Sequence, residues 1–196
     1  MEKKQSILTR IVACEVFRPA IEYLQMEKRY PSLRVTYLPS NLHLRPAELK
    51  KRMVKVVKRY RDKNERVVCL YGDCFPEIDD FCEQHKVIKV PGHYCYEMLL
   101  GEEKFAGIIN EVAGTYFAER ELLTNFRECC AIPLELDDEE MRNYCFKQYR
   151  KLLYIRQPED PNLDAKADEV AKFLGLYLDI SDADYQQLEE KLESIL

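Results

Sequence analysis

Six short apolar runs recur along this 196-residue chain, separated by stretches with helical periodicity. Strands of four to eight residues alternating with amphipathic helices restrict a chain to α/β architectures, in which helices cover a mainly parallel sheet. Ile7 to Ala13 reads as the first strand and Pro19 to Lys28 as a helix broken by Pro31. Arg34 to Leu38 is the second strand. Pro46 then opens a helix to about Asn64, in the first turn, where its missing N–H is harmless. Leu49, Met53, Val56, Val57 and Tyr60 share one face of that helix, and eight Lys/Arg lie mostly on the other. Arg66 to Tyr71 and Val87 to Val90 are strands three and four, with a helix from Pro76 to His85 between them. Helices follow at Tyr94 to Leu100, Glu102 to Val112 and Glu139 to Tyr149. Leu152 to Ile155 and Leu176 to Ile180 are the last strands, each followed by a helix, Asp164 to Leu174 and Asp184 to Ile195. Gly114 to Leu136 is the least regular segment and reads as a cap over the sheet edge. The expectation is one α/β domain over residues 1–196, doubly wound and Rossmann-like. Its mainly parallel sheet has helices on both faces, and the last two strands extend the first four.

Charge is distributed unevenly. Residues 1–66 carry 17 Lys/Arg against 7 Asp/Glu, and the remainder 13 against 28, for a net charge of −5. The polarity suits steering of an anionic ligand or acidic partner to the N-terminal half; a basic helix facing solvent is the ordinary alternative. The net negative charge argues against nucleic acid as the main partner. No apolar stretch approaches the ~20 residues of a membrane span, and Ile7 to Ala13 is interrupted by Thr9 and Arg10, unlike a secretory leader. A cytoplasmic location is therefore expected, with the eight cysteines reduced.

In open parallel sheets, sites form beyond the carboxyl ends of the strands. Cys14 ends the first strand, Cys74 follows the third in Tyr-Gly-Asp-Cys, and Cys95 follows the fourth in Pro-Gly-His-Tyr-Cys-Tyr-Glu. His43 lies in the loop after the second strand, and His93 sits two residues before Cys95. Thiolate and imidazole are the ligands of zinc and of iron–sulfur clusters, so Cys14, Cys74, Cys95, His43 and His93 are the candidate metal ligands. Buried structural thiols and a redox or nucleophilic cysteine are the alternatives. A helix starting near Pro76 would place its positive end near Cys74 and favour the thiolate there. Glu15, Asp73 and Glu97 are the acids near this rim, placed to bind or orient a cofactor or to act as a base; solvated or capping acids are the commoner case. Cys69 reads as core, Cys82 and Cys145 as helix residues, and Cys129–Cys130 as a poor chelating pair. No Gly-rich phosphate loop and no GxSxG is present.

These motifs carry a resemblance. Ala13-Cys14, Leu42-His43 with Pro46, Tyr71-Gly72-Asp73-Cys74, Pro91 to Glu97, Gly114-Thr115-Tyr116-Phe117, and Tyr149 to Gln157 with Asp160-Pro161 resemble the family known as domain of unknown function 1638. Glu15 and Phe75 stand where that family usually has glycine after its first and second motif cysteines. Members occur in methanogens and other microbes, often near corrinoid-dependent methyltransferase systems. The resemblance implies a role in anaerobic one-carbon or methylamine metabolism. The leading expectation is thus a protein holding zinc or an iron–sulfur cluster and acting on methyl-group or corrinoid chemistry, with a small-molecule substrate. The second is a non-catalytic accessory or metal carrier that docks on a corrinoid protein or methyltransferase. A thiol-only redox protein ranks third, because no CxxC is present.

Overall fold

A computed structural model describes residues 7–196. The fold is α/β and doubly wound, built on two parallel sheets, and the chain divides into two compact units. One unit runs up to Cys95 and takes in Gln186–Leu196; the other is Tyr96–Tyr185.

The first unit holds β1 (Thr9–Cys14), β2 (Leu33–Leu38), β3 (Arg66–Leu70) and β4 (Ile88–Lys89), all parallel, in the order β2-β1-β3-β4. β1 and β3 are central, and Ile11, Val12, Ala13, Val68, Cys69 and Leu70 are fully buried, as expected of strands covered on both faces. The first connection is less regular than its sequence suggests. α1 (Arg18–Tyr23) stops, Gln25 takes a left-handed φ of 52°, and α2 (Met26–Arg29) restarts the helix. α3 (Pro46–Arg61) begins at its proline and buries Leu49, Met53, Val57 and Tyr60. α4 (Ile78–Gln84) starts two residues later than expected, because Glu77 is left-handed, with φ 63°. α5 (Cys95–Leu100) begins at the last residue of this unit, belongs otherwise to the second, and ends at Gly101. The chain returns to this unit as α10 (Gln186–Glu193), with Leu188 and Leu192 buried. Arg29 pairs there with Glu189 and Glu193, and Arg66 donates to the Ile195 carbonyl.

The second unit holds α6 (Glu102–Glu111), β5 (Thr115–Ala118), α7 (Arg120–Thr124), α8 (Glu139–Phe146), β6 (Lys151–Arg156), α9 (Asp164–Leu174) and β7 (Tyr177–Asp182). Its three strands pair in the order β5-β6-β7. The expectation that the last two strands extend the first sheet is therefore corrected: they form a sheet of their own with β5. That strand lies in the segment expected to be an irregular cap, which also carries α7 and a π-helical turn at Arg127–Ala131. Thr-Tyr-Phe-Ala is only four residues long, yet Tyr and Phe are strand formers, and pairing with the buried β6 supplies the rest. Ala118, Leu123, Phe126, Leu152, Tyr154 and Val170 belong to this unit's core. Lys151 is buried at the start of β6 and satisfied by Asp179 at 3.2 Å and Glu111 at 3.5 Å. No helix among the described residues is long and apolar enough to cross a membrane.

Candidate functional site

The order β2-β1-β3-β4 reverses direction between β1 and β3: the chain steps outward to β2 and then crosses back to the far side of β1. The space beyond the carboxyl ends of those two strands is the usual ligand position in such sheets. Cys14 ends β1 at this point, buried, with extended backbone angles that turn the chain into a short 3-10 turn, Glu15–Phe17. Cys74 follows β3, and Cys95 follows β4 at the start of α5; both are half-buried.

A glycine clamps the last two together. A Cβ on Gly72 would lie 2.6 Å from the His93 carbonyl oxygen and 3.0 Å from the Cys95 nitrogen. The Asp73 N–H donates to the same His93 carbonyl at 2.8 Å, and the Cys74 N–H turns back to the Gly72 carbonyl at 2.8 Å. The loops after β3 and β4 thus run in backbone contact, which only a residue without a side chain permits. As a result the three thiols meet. Cys95 is hydrogen-bonded to both Cys14 and Cys74, and a backbone hydrogen bond from Gly72 reaches the sulfurs of Cys74 and Cys95.

The Cys74 and Cys95 thiols hold their protons. The bond to Cys95, then burial, pushes the Cys74 thiol well up. For Cys95 the bond to Cys14 raises the pKa most, and the bond with Cys74 opposes it. The helix-end argument for a Cys74 thiolate is corrected on both counts: α4 begins only at Ile78, and thiol neighbours in a dry site favour S–H over S⁻. The sulfurs form a chain centred on Cys95. Among the described residues no group of three or more His, Cys, Asp or Glu side chains stands in metal-holding geometry.

Asp73 accepts from Lys89 Nζ at 2.6 Å and from His93 Nδ1 at 2.9 Å. Partial burial works against its ionisation, but those two bonds outweigh it and hold the carboxyl below its usual range. Burial likewise opposes the Lys89 charge, and Asp73 with Asp79 more than offsets it. His93 is largely exposed and tied to Asp73 through Nδ1. His43 is exposed in the 3-10 turn after β2, with Nδ1 on the Ser40 carbonyl at 2.5 Å. Glu15 pairs locally with Arg18 at 2.5 Å, and Glu97 lies in the first turn of α5. The structure brings the three cysteines together; these hydrogen bonds engage Asp73 and His93 with each other and His43 and Glu15 with local partners.

Sequence reasoning passed over Tyr71. Only 2% exposed, its hydroxyl is buried without a hydrogen-bond partner. Burial keeps the phenol protonated, and Cys14, Cys69, Cys95 and Cys74 are the groups that act on it electrostatically. Period-2 alternation already gives the signal, since Cys69 and Tyr71 fall on one face of a strand. Cys69 itself is core and donates to Cys82 of α4; this bond raises the Cys69 thiol and lowers that of Cys82.

The second sheet has its own polar group past its strand ends. Glu119 follows β5 and caps α7, accepting from the N–H of Glu121 at 2.7 Å and of Leu122 at 3.0 Å. Burial pushes its carboxyl up to about 7. Asp160 accepts from Tyr154 at 2.9 Å and from the Gln157 N–H at 3.0 Å, and Tyr185 donates to Gln157 Oε1 at 2.7 Å.

A parallel α/β protein with a thiol-lined rim is the class these features define. The chain belongs to the family described as a protein of unknown function, DUF1638, whose model matches residues 37–192. That span includes Cys74 and Cys95 but neither Cys14 nor Glu15. No curated protein and no solved structure matches the chain.

Proposed function

We propose that the chain binds zinc or an iron–sulfur cluster through Cys14, Cys74 and Cys95 and acts in methyl-group chemistry. The observation that carries this reading is the double engagement of Cys95, hydrogen-bonded to a thiol on either side at the strand-order reversal. Two thiolates on one tetrahedral zinc at ~2.3 Å sit roughly 3.8 Å apart, about the separation of a hydrogen-bonded thiol pair. The donor types suit either group, but no three described side chains stand in metal-holding geometry, so binding asks for rearrangement of the Cys14, Cys74 and Cys95 side chains. Asp73, held by Lys89 and His93, stands beside Cys74 as a fixed anion at the rim. When bound, zinc would supply activation of an incoming thiol by lowering its pKa, and a cluster would supply electron transfer. Placement in anaerobic one-carbon metabolism rests on the family resemblance alone.

The partial exposure of Cys74 favours a second reading, in which the protein carries the metal to a corrinoid protein or methyltransferase partner. Anaerobic purification with metal analysis and a visible spectrum tests the first reading. Stoichiometric zinc, or brown iron with sulfide, is the expected result, lost in Cys74→Ser with the fold retained. Metal-free wild type sinks it and favours thiol chemistry between Cys14 and Cys95. Transfer of the metal to an apo-acceptor faster than spontaneous release would favour the carrier.

A further inference from the structure

We propose that the loop from β6 into α9 binds a neutral vicinal diol, such as a pentose carries, through Asp160 Oδ1, Asp164 Oδ1 and the Gln157 side-chain amide. Neither this site nor its test involves the cysteines of the first sheet.

Four buried side-chain polar atoms among the described residues lack a hydrogen-bond partner, and three of them, Gln157 Nε2, Asp160 Oδ1 and Asp164 Oδ1, lie where the chain leaves β6 and enters α9. This is the carboxyl end of a strand in a parallel sheet, where ligands usually bind. Buried polar atoms are almost always paired, so a cluster of orphans calls for an explanation. Gln157 is 1% exposed, and its Oε1 accepts from Tyr185 at 2.7 Å. Turning the amide round would only exchange the orphan, leaving Oε1 bare in place of Nε2. The Asp160 side chain has no exposed surface; its Oδ2 accepts from Tyr154 and from the Gln157 N–H, and Oδ1 is left over. Asp164 is half-exposed, but its Oδ1 is buried. Both acids act electrostatically on the Tyr154 hydroxyl, which places them around one residue of β6.

Charge selects the ligand class. Arg120 Nη1 stands 3.6 Å from Asp160 Oδ1, and Arg156 Nη1 stands 3.8 Å from Asp164 Oδ2. These distances are too long for hydrogen bonds and short enough to balance the two acids. An amine would add a positive charge beside two arginines, and a carboxylate would face bare carboxylate oxygens. A hydroxyl brings no charge and is donor and acceptor in one group. Two adjacent hydroxyls therefore donate to the two Oδ1 atoms and accept from the Gln157 amide. Arg120, Arg156 and Asp164 are partly exposed, so the loop is open to solvent. Water has the same donor and acceptor character, and the test separates it from the diol.

The test titrates the isotope-labelled full chain with methyl β-D-ribofuranoside and with its 2-deoxy analogue. Binding is read from the NMR shifts of the Gln157 side-chain amide and of the backbone amides of Gln157, Asp160 and Asp164. The riboside should give a saturable shift centred on these residues. The deoxy sugar, which has lost the diol, should bind about 10- to 100-fold more weakly, the range for a hydrogen bond to a charged group. Asp164→Ala, at the half-exposed first residue of α9, should keep the fold and weaken riboside binding about 10-fold. No saturable shift with the riboside overturns the proposal and leaves the orphan atoms to buried water. Equal affinity for the two sugars overturns it by removing the diol, and unchanged affinity in Asp164→Ala overturns it by removing that carboxylate. The comparison of sugars uses wild type alone, so it decides whether or not the variant folds.

Discussion

The two sheets place polar chemistry in the same position, past the carboxyl ends of their strands, and treat it oppositely. The first sheet reverses its strand order between β1 and β3 and gathers sulfur there; the second runs in one direction, β5-β6-β7, and gathers oxygen and nitrogen. Buried thiols are weak donors and behave as small hydrophobes, so a rim of cysteines stays dry without a complete hydrogen-bond network. Buried carboxylates and amides need partners: backbone N–H groups and tyrosine hydroxyls occupy Glu119, Asp160 Oδ2 and Gln157 Oε1, while Asp160 Oδ1 and Gln157 Nε2 stay without a hydrogen bond. The first rim thereby keeps Cys74 and Cys95 as protonated thiols, and the second spends its polar groups mainly on holding turns in place.

Breaking the first rim at its backbone should have the largest effect. Gly72→Ala forces a methyl against the His93 carbonyl and should cost about 2–4 kcal/mol, read by urea unfolding, while separating Cys74 from Cys95. Survival of full stability and metal content would show that the two loops can part freely.

The second rim should respond to pH. The Glu119 carboxyl is raised to about 7 in the folded chain, against an ordinary value near ~4.3. The folded state then holds the proton more tightly, so this stabilisation is present at acid pH and is lost as pH rises through about 7. Linkage puts the change at roughly 3 kcal/mol between about pH 4 and 8. Glu119→Gln should flatten this part of the stability profile, and an unaltered profile would refute the assignment. Asp73 has the opposite sign: its carboxyl is depressed, so its contribution is lost as pH falls below the carboxylate range.

Two smaller effects sharpen the contrast. Cys69→Ser buries a hydroxyl in β3 and should cost about 1–3 kcal/mol in thermal or urea unfolding, with metal content unchanged. Parallel loss of metal would place Cys69 in the centre. Asp73→Asn removes a partly exposed anion from Lys89 and His93 and should shift stability by less than ~1 kcal/mol. A larger loss would mean that the Asp73 network, and not Gly72, holds the loops together.

The sequence carried the strand–helix alternation, the proline start of α3 and the shared position of three cysteines. These are local signals: each depends on a few adjacent residues. It did not carry the division into two sheets, because nothing in Leu152 to Ile155 states which strand it will pair with. Its partner β5 is four residues long and was hidden in an irregular stretch. The thiolate expected at Cys74 failed for a related reason. A pKa depends on what surrounds the sulfur in space, and the decisive neighbour, Cys95, is remote in sequence. Tyr71 went unnoticed because a buried tyrosine is ordinary until its hydroxyl is seen to lack a partner.

The return of Gln186–Leu196 to the first unit bears on how the protein is made. The chain leaves that unit at Cys95 and re-enters it only after the whole of Tyr96–Tyr185 has been synthesised. At ~5–20 residues per second this takes on the order of 5–20 s. During that interval the first unit lacks α10, with its buried Leu188 and Leu192, and the acidic partners of Arg29. The cysteines at the strand ends thus spend their first seconds on an unfinished scaffold, so a nascent chain stalled before residue 186 should alkylate at Cys14 faster than the completed protein.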